Sequence, residues 1–213
     1  MMKWLAIFLS ILFSSVAIAG HASASDLLVQ VKTAAGAPVA DAVVTVYPAS
    51  GAPAPIHFDW PMTMSQQNIA FHPFVLIAPV GATVAFPNFD NVRHHVYSFS
   101  STHQFELKLY GRDQTRTVKF DKAGVVALGC NIHDKMAAFI KVVDTPYAAK
   151  TDAGGHLLIH GLPAGAATLH LWRPYLKAPN NEITRSIALP GAGQVAEAFT
   201  VEVHPPAAMQ GMY

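Results

Sequence analysis

Only one of the 213 residues is a cysteine, so the chain cannot close a disulfide within itself. Covalent attachment of a c-type haem is excluded as well, because the sequence has no Cys-x-x-Cys-His motif. Charge is also scarce: 13% of the residues are charged, with 14 basic residues against 13 acidic ones. No basic patch or acidic tail gives a reason to expect nucleic acid as a partner. The lone cysteine, Cys130, must therefore be buried, reactive, joined to another chain or bound to a metal.

The N-terminus has the pattern of a secretory signal peptide. Lys3 precedes an apolar run from Trp4 to Ala19, and small residues suited to cleavage continue to Ala24. A membrane anchor or a buried helix is the alternative, but the run is short for a membrane span, which needs about 20 apolar residues. We therefore predict a signal helix within residues 1–24, cleavage after Ala24, export to the periplasm and no membrane span in the mature protein.

The rest of the chain predicts an all-β fold, because no helical period stands out beyond the signal peptide. Between residues 65 and 144, about eight short apolar or alternating runs, one of them at 68–71, are separated by proline and glycine, which is typical of a sandwich or barrel. The proline-rich segment 48–61 predicts an irregular linker. Residues 205–213 predict a disordered tail.

The chemistry of the chain is concentrated after Cys130, where His133 and Met136 follow in one short loop. A thiolate, an imidazole and a thioether are soft ligands, which select copper over magnesium, calcium or manganese. A second histidine would complete a trigonal set of two histidines and one cysteine, with a weak axial methionine, which describes a blue-copper site. The candidates are the adjacent residues His94 and His95, which a strand would point to opposite faces. The alternative without a metal is that Cys130 is a buried, inert thiol. A cysteine hydrolase is disfavoured, because no third group that would orient His133 is evident.

These residues resemble two motifs of the cupredoxin family, and the amicyanins within it most closely. The ligand-loop spacing Cys-x-x-His-x-x-Met is carried by Cys130, His133 and Met136. The upstream pattern Asn-x-acid-x-x-x-His-x-Val is carried by Asn88, Asp90, His94 and Val96. The resemblance covers about residues 65–144 and implies a cupredoxin Greek-key β-sandwich in that segment.

The resemblance also implies a ligand set and a function. The ligands of one type 1 copper ion would be His94, Cys130, His133 and Met136, with His94 favoured over His95 by its place in the motif. Asn88 would shape the loop before His94, and His95 and Asn131 would tie the two ligand loops together. The implied protein is a monomeric electron carrier, not an enzyme, whose redox partner is a dehydrogenase or a c-type cytochrome.

One feature leaves the partner open, and two others leave other functions open. Asp134 and Lys135 replace apolar positions of the loop with which amicyanins dock their partner. A periplasmic copper store or chaperone could use the same ligands, and Met62 and Met64 form a second methionine pair. The β-rich segments on either side of residues 65–144 also allow a structural or carbohydrate-contacting module.

The flanking segments resemble the two halves of a carboxypeptidase-regulatory-like, transthyretin-like β-sandwich. The opening half is Val29-x-Val31 with Gly36-x-Pro38-Val39-x-x-Ala42-x-Val44-x-Val46, and the closing half is the run from Thr151 to Gly165. Neither half has enough strands to bury one face by itself. We predict that the cupredoxin domain, residues 65–144, is inserted into a second, small sandwich formed by 25–62 and 145–204. Two unrelated additions to the ends of the cupredoxin are the alternative.

Overall fold

The computed structural model describes residues 24–204, which fold almost entirely as β-strands, so the predicted all-β fold is confirmed. The predicted signal peptide, apart from Ala24, and the predicted tail lie outside the described residues. Within residues 24–204, no helix is long and apolar enough to cross a membrane. The described part of the chain forms two β units, which we call the central unit and the outer unit.

The central unit contains the strands from the middle of the chain. They are β3 (Ser65–Gln66), β4 (Phe71–His72), β5 (Val75–Pro79), β6 (Ala82–Pro87), β7 (His94–Ser100), β8 (His103–Tyr110), β9 (Thr115–Phe120), β10 (Gly124–Cys130) and β11 (Ala137–Val143). One sheet has the order β5-β11-β10-β7-β8, and the strand pairs β6-β9 and β3-β4 lie outside it. Alternating apolar residues of these strands share one core, which includes Phe86, Val96, Cys130, Met136 and Ile140.

The outer unit contains strands from both ends of the chain. They are β1 (Ala24–Thr33), β2 (Val43–Pro48), β12 (Ala148–Lys150), β13 (His156–Pro163), β14 (Gly165–Trp172), β15 (Glu182–Leu189) and β16 (Gln194–Val201), with a short 3-10 helix at Pro179–Asn181. Two sheets result, with the orders β13-β1-β16 and β12-β2-β14-β15.

The two ends of the chain thus pair with each other. The strand β1 is antiparallel to β13 and parallel to β16, and β2 is antiparallel to both β12 and β14. Val29 and Val44 share a core with Leu157 and Leu169. This is the pairing that an inserted central domain requires. The likeness of the outer unit to transthyretin-like domains, and the domain limits at 62 and 145, stay predictions.

A seam of apolar and polar contacts joins the two units. Trp172 of β14 is 2% exposed and packs edge-on against Phe139 of β11, with ring centroids 6.0 Å apart. The Lys141 ammonium lies 5.4 Å from the Trp172 ring and 3.0 Å from the Glu182 carboxylate. Tyr47 donates a hydrogen bond of 2.7 Å to Asp144. The central unit is therefore held to the outer unit by more than the two chain connections.

One predicted strand is a turn in the structure. The run 68–71 contains β-branched and aromatic residues, but Asn68 and Ile69 adopt φ values of 57° and 56° at the tip of the β3–β4 hairpin. Left-handed backbone at an isoleucine is uncommon because the branched side chain crowds the main chain. The hairpin accepts it where the N–H groups of both residues hydrogen-bond to Asp90, a contact distant in sequence that local propensity cannot report.

Candidate metal centre

Cys130 is the last residue of β10, and its side chain points into the core of the central unit with 3% exposure. The chain then turns back within a few residues to begin β11. The His133 N–H donates to the Cys130 carbonyl at 3.4 Å, and the Met136 N–H donates to the His133 carbonyl at 2.9 Å. Met136 is 1% exposed and belongs to the same core as Cys130. The short loop that carries Cys130, His133 and Met136 is therefore held by its own main-chain bonds.

His94 reaches the same place from the first position of β7. Pairing of β7 with β10 sets Val96 opposite Cys130, so His94 lies one pleat away on the buried face. The β7–β8 register shifts between His94 and Val96, which marks a bulge. Bulges re-aim side chains at the ends of strands. His94 is completely buried, while its neighbour His95 points to β8.

The donor atoms of three residues converge. The Cys130 Sγ lies 3.8 Å from Nδ1 of His94 and 3.6 Å from Nδ1 of His133. Metal–nitrogen bonds of about 2.0–2.1 Å and a metal–sulfur bond of about 2.3 Å, arranged about 120° apart, would set sulfur and nitrogen about 3.8 Å from each other. The observed separations therefore fit a trigonal metal position between the three donors. His94, Cys130 and His133 are also the one group of three or more His, Cys, Asp or Glu donors within 4.8 Å of one another in residues 24–204.

Asp90 fixes which nitrogen of His94 faces the sulfur. The His94 Nε2 lies 2.8 Å from a carboxylate oxygen of Asp90, and a carboxylate only accepts, so Nε2 bears the proton. In the neutral imidazole, which is the form that binds a metal, Nδ1 then presents its lone pair towards Cys130. Burial acts to raise the pKa of Asp90, but hydrogen bonds from His94, Ile69 and Asn68 outweigh it and lower the pKa below its ordinary value. A charged carboxylate thus holds the imidazole by its Nε2 atom, on the side of the ring opposite Cys130.

Asn88 closes the loop that carries Asp90. Its amide donates to the carbonyls of Val92 at 2.9 Å and Tyr110 at 3.1 Å, and its side-chain oxygen accepts the Asp90 N–H at 2.9 Å. Asn88 is fully buried, and its bond to the Tyr110 carbonyl is buried as well, whereas the bonds to Val92 and Asp90 are partly buried. The loop-shaping role of Asn88 in a metal site stays a prediction, and these three hydrogen bonds are the contacts on which it depends.

His95 and Asn131 are joined by a main-chain hydrogen bond. The Asn131 N–H donates to the His95 carbonyl at 3.1 Å, which ties the two ligand loops through the main chain. The imidazole of His95 lies 2.8 Å from Glu106, because the strand alternation turns it away from the core towards β8. The sequence alone does not indicate Glu106, because it is one of several polar residues in an alternating strand.

The second methionine pair offers no comparable site. Met64 is fully buried in the core of the central unit, and Met62 is partly buried against the same core. Both therefore act as core side chains in the described structure.

No protein-family model matches the chain, and no curated protein matches it. Among solved structures, it is similar to a copper-containing nitrite reductase from Thermus scotoductus, with 27% identity and a TM-score of 0.38 over 46% of this chain and 25% of that one. A purple cupredoxin from Nitrosopumilus maritimus is 20% identical, with a TM-score of 0.35 over 38% of this chain and 98% of that one. A variant of amicyanin in its Cu(I) form is 20% identical, with a TM-score of 0.36 over 47% of this chain and 98% of that one.

The chain spans about a quarter of the length of the nitrite reductase. At these low TM-scores the likeness assigns no role to any residue. The distances among Cys130, His94 and His133 are therefore what a proposed function has to rest on.

Proposed function

We propose that this protein is a periplasmic blue-copper electron carrier whose type 1 site is formed by His94, Cys130, His133 and Met136. The observation that carries the proposal is the convergence of Cys130 Sγ with both Nδ1 atoms at separations suited to a trigonal metal. The donor set selects copper, because a thiolate and a thioether are soft ligands and imidazole suits Cu(I) and Cu(II) alike. A bound copper ion would supply a one-electron couple.

The residues around the site would keep the donors in place through a change of charge. Burial of His94, Cys130 and Met136 excludes water from the ligand side that faces the core. Main-chain bonds hold His133, and Asp90 holds His94. Ligands held in this way need little rearrangement when an electron arrives or leaves, which suits electron transfer more than substrate turnover.

Apolar side chains at the same end of the central unit would face a redox partner. Exposed fractions of 42–51% are found for Ile69, Phe89, Val92 and Ile132, which we call the site rim. Ile132 lies in the loop after Cys130, Phe89 and Val92 lie in the loop before His94, and Ile69 lies in the hairpin tip that hydrogen-bonds to Asp90. A near-neutral protein with such a rim would dock through apolar contact, and a dehydrogenase or a c-type cytochrome is the kind of partner we propose. The predicted signal peptide would deliver the protein to the periplasm. There the protein would act as a monomer.

Titration of the purified apo-protein with Cu(II) tests the proposal. We expect an intense visible absorption band at one equivalent of copper, from charge transfer between the Cys130 thiolate and the metal. Cys130→Ala should bind copper without that band, and a Cys130→Ala sample that unfolds would be recognised by its far-UV circular dichroism.

A colourless Cu(II) complex with an ordinary oxygen–nitrogen spectrum in the wild type would contradict the proposal. Tight binding of Cu(I) in such a sample would instead favour a copper store or chaperone.

A further inference from the structure

The tip of the β3–β4 hairpin adopts a strained backbone conformation beside the proposed metal centre. Two hydrogen bonds between Gln67 and Ala70 close the turn, at 3.0 and 3.2 Å. Asn68 and Ile69 between them both have positive φ, the geometry in which Asn-Gly is the usual sequence. A β-branched residue in this region persists only where its surroundings impose the conformation, and such strain clusters at functional sites.

The hairpin tip contacts the side-chain carboxylate of Asp90. Its carboxylate accepts the Asn68 N–H at 2.6 Å and the Ile69 N–H at 3.0 Å, besides the Nε2–H of His94 at 2.8 Å. The Asp90 side chain is only 11% exposed, so few water molecules can replace these donors. Left-handed φ at two consecutive residues brings their N–H groups to one side of the turn, and a single carboxylate receives both.

The base of the hairpin is fixed in the core. Gln66 of β3 is fully buried, and its amide donates to the Tyr110 hydroxyl. The Gln66 carbonyl accepts the Phe89 N–H at 2.9 Å, one residue before Asp90. Phe71 of β4 is 4% exposed in the same core. A hairpin anchored at its base presents its tip at a defined place, so the tip can define the place of Asp90.

We infer that the hairpin tip is a positioning element of the metal centre, in which the main-chain N–H groups of Asn68 and Ile69 hold the Asp90 carboxylate that orients His94. This inference rests on the proposed copper site. Without the two donors, the Asp90 carboxylate would be able to turn to solvent, and the His94 ring would lose the contact that sets its direction and tautomer. Asn68, Ile69 and Asp90 are positioning residues, because none of them supplies a donor atom to the metal position.

A double-mutant cycle on copper affinity tests the inference. Ile69→Pro removes one N–H donor and cannot adopt positive φ, and Asp90→Ala removes the acceptor. Loss of a residue that supports a metal ligand typically lowers metal affinity by about 10- to 100-fold. We therefore expect the copper affinity of each single variant to be lower than that of the wild type by about that factor. Because the tip acts through Asp90, the double variant should bind copper no more weakly than Asp90→Ala alone. Additive losses, or no loss in Ile69→Pro, would overturn the inference.

Ile69→Gly is the matched control, because glycine keeps the N–H donor and adopts positive φ without strain. Its copper affinity and visible spectrum should equal those of the wild type. A loss in Ile69→Gly as large as that in Ile69→Pro would mean that the isoleucine side chain, not the main-chain donor, is responsible, which also overturns the inference.

Hydrogen exchange on the apo-protein gives a second measurement that needs neither copper nor the proline variant. In the wild type, the amide protons of Asn68 and Ile69 and the Nε2 proton of His94 should exchange slowly by NMR. In Asp90→Ala all three should exchange faster, while core amides of β10 stay protected. Fast exchange of the tip amides in the wild type would overturn the inference, whereas slow exchange in a protein without a visible copper band would place the failure with the proposed function.

Discussion

The seam between the two units should depend on Glu182, and Glu182→Gln tests this dependence. One carboxylate oxygen accepts from Lys141 at 3.0 Å and the other lies 2.8 Å from Nδ1 of His170. The side chains of Lys141 and Glu182 are 13% and 27% exposed. Removing one partner of a fully buried ion pair costs about 3–5 kcal/mol, and an exposed pair contributes about 0.2–1 kcal/mol. The Lys141–Glu182 pair is neither fully buried nor fully exposed, so we expect a cost between these two ranges. Glu182→Gln should lower the free energy of unfolding by about 2 kcal/mol.

Urea unfolding followed by far-UV circular dichroism measures this loss, and the chain offers a matched control. Lys177 and Glu202 form an ion pair of 3.0 Å whose side chains are 54% and 70% exposed. Glu202→Gln therefore removes the same kind of contact where water can replace it, and it should cost less than about 1 kcal/mol. Equal losses in the two variants would refute the reasoning, because the seam pair would then be no better shielded than a surface pair.

The pH dependence of the seam has a definite sign. Burial acts to raise the pKa of Glu182, but the hydrogen bond from His170 and the charge of Lys141 outweigh it and lower the pKa below its ordinary value. The unfolded chain then binds a proton at Glu182 more readily than the folded chain. The stabilisation is complete above the ordinary glutamate pKa of about 4.3 and is lost as the pH falls through the lower folded pKa. The stability difference between wild type and Glu182→Gln should therefore shrink below about pH 4.

Three further variants test the site and its surroundings. Cys130→Ala should abolish the visible band in a Cu(II) titration, and a surviving band would rule out the thiolate as its source. Met136→Leu conserves volume in the core, so we expect a stability loss below about 1.5 kcal/mol, a retained blue colour and a higher reduction potential by voltammetry; a colourless copper complex would contradict this. Ile69→Gly should raise the urea midpoint, since relief of about 1–3 kcal/mol of backbone strain exceeds a glycine cost of about 0.5–1 kcal/mol, and a lower midpoint would show that Ile69 is not strained.

The strands of the central unit could be predicted from the sequence because their alternation is local. In β7 the buried pattern falls on His94, Val96 and Ser98, as an alternating strand requires. The pairing of the chain ends could be anticipated for a different reason, since the two strands β1 and β2 are too few to be stable without other strands. The contacts of the seam could not be predicted, because Lys141 and Glu182 meet only after both units have folded.

Ile69 shows where local propensity gives the wrong structure. A β-branched residue inside an apolar run predicts a strand, and the sequence has no glycine at this tip to indicate a turn. The N–H groups that favour the turn bind Asp90, more than twenty residues away along the chain. A tertiary contact therefore overrides the local preference, and no single-sequence signal identifies its acceptor.

The same distinction separates the ligands of the proposed site. Cys130, His133 and Met136 lie within one loop, and its main-chain bonds of 3.4 and 2.9 Å tie them together, so spacing alone could indicate them. His94 comes from a different strand, and its direction depends on the β7–β8 bulge and on Asp90. A ligand that arrives from a distance needs support that the ligand loop cannot supply. We therefore expect the direction of His94 to depend on Asp90 and on the hairpin tip that binds it, whereas Cys130, His133 and Met136 depend on the main-chain bonds of their own loop.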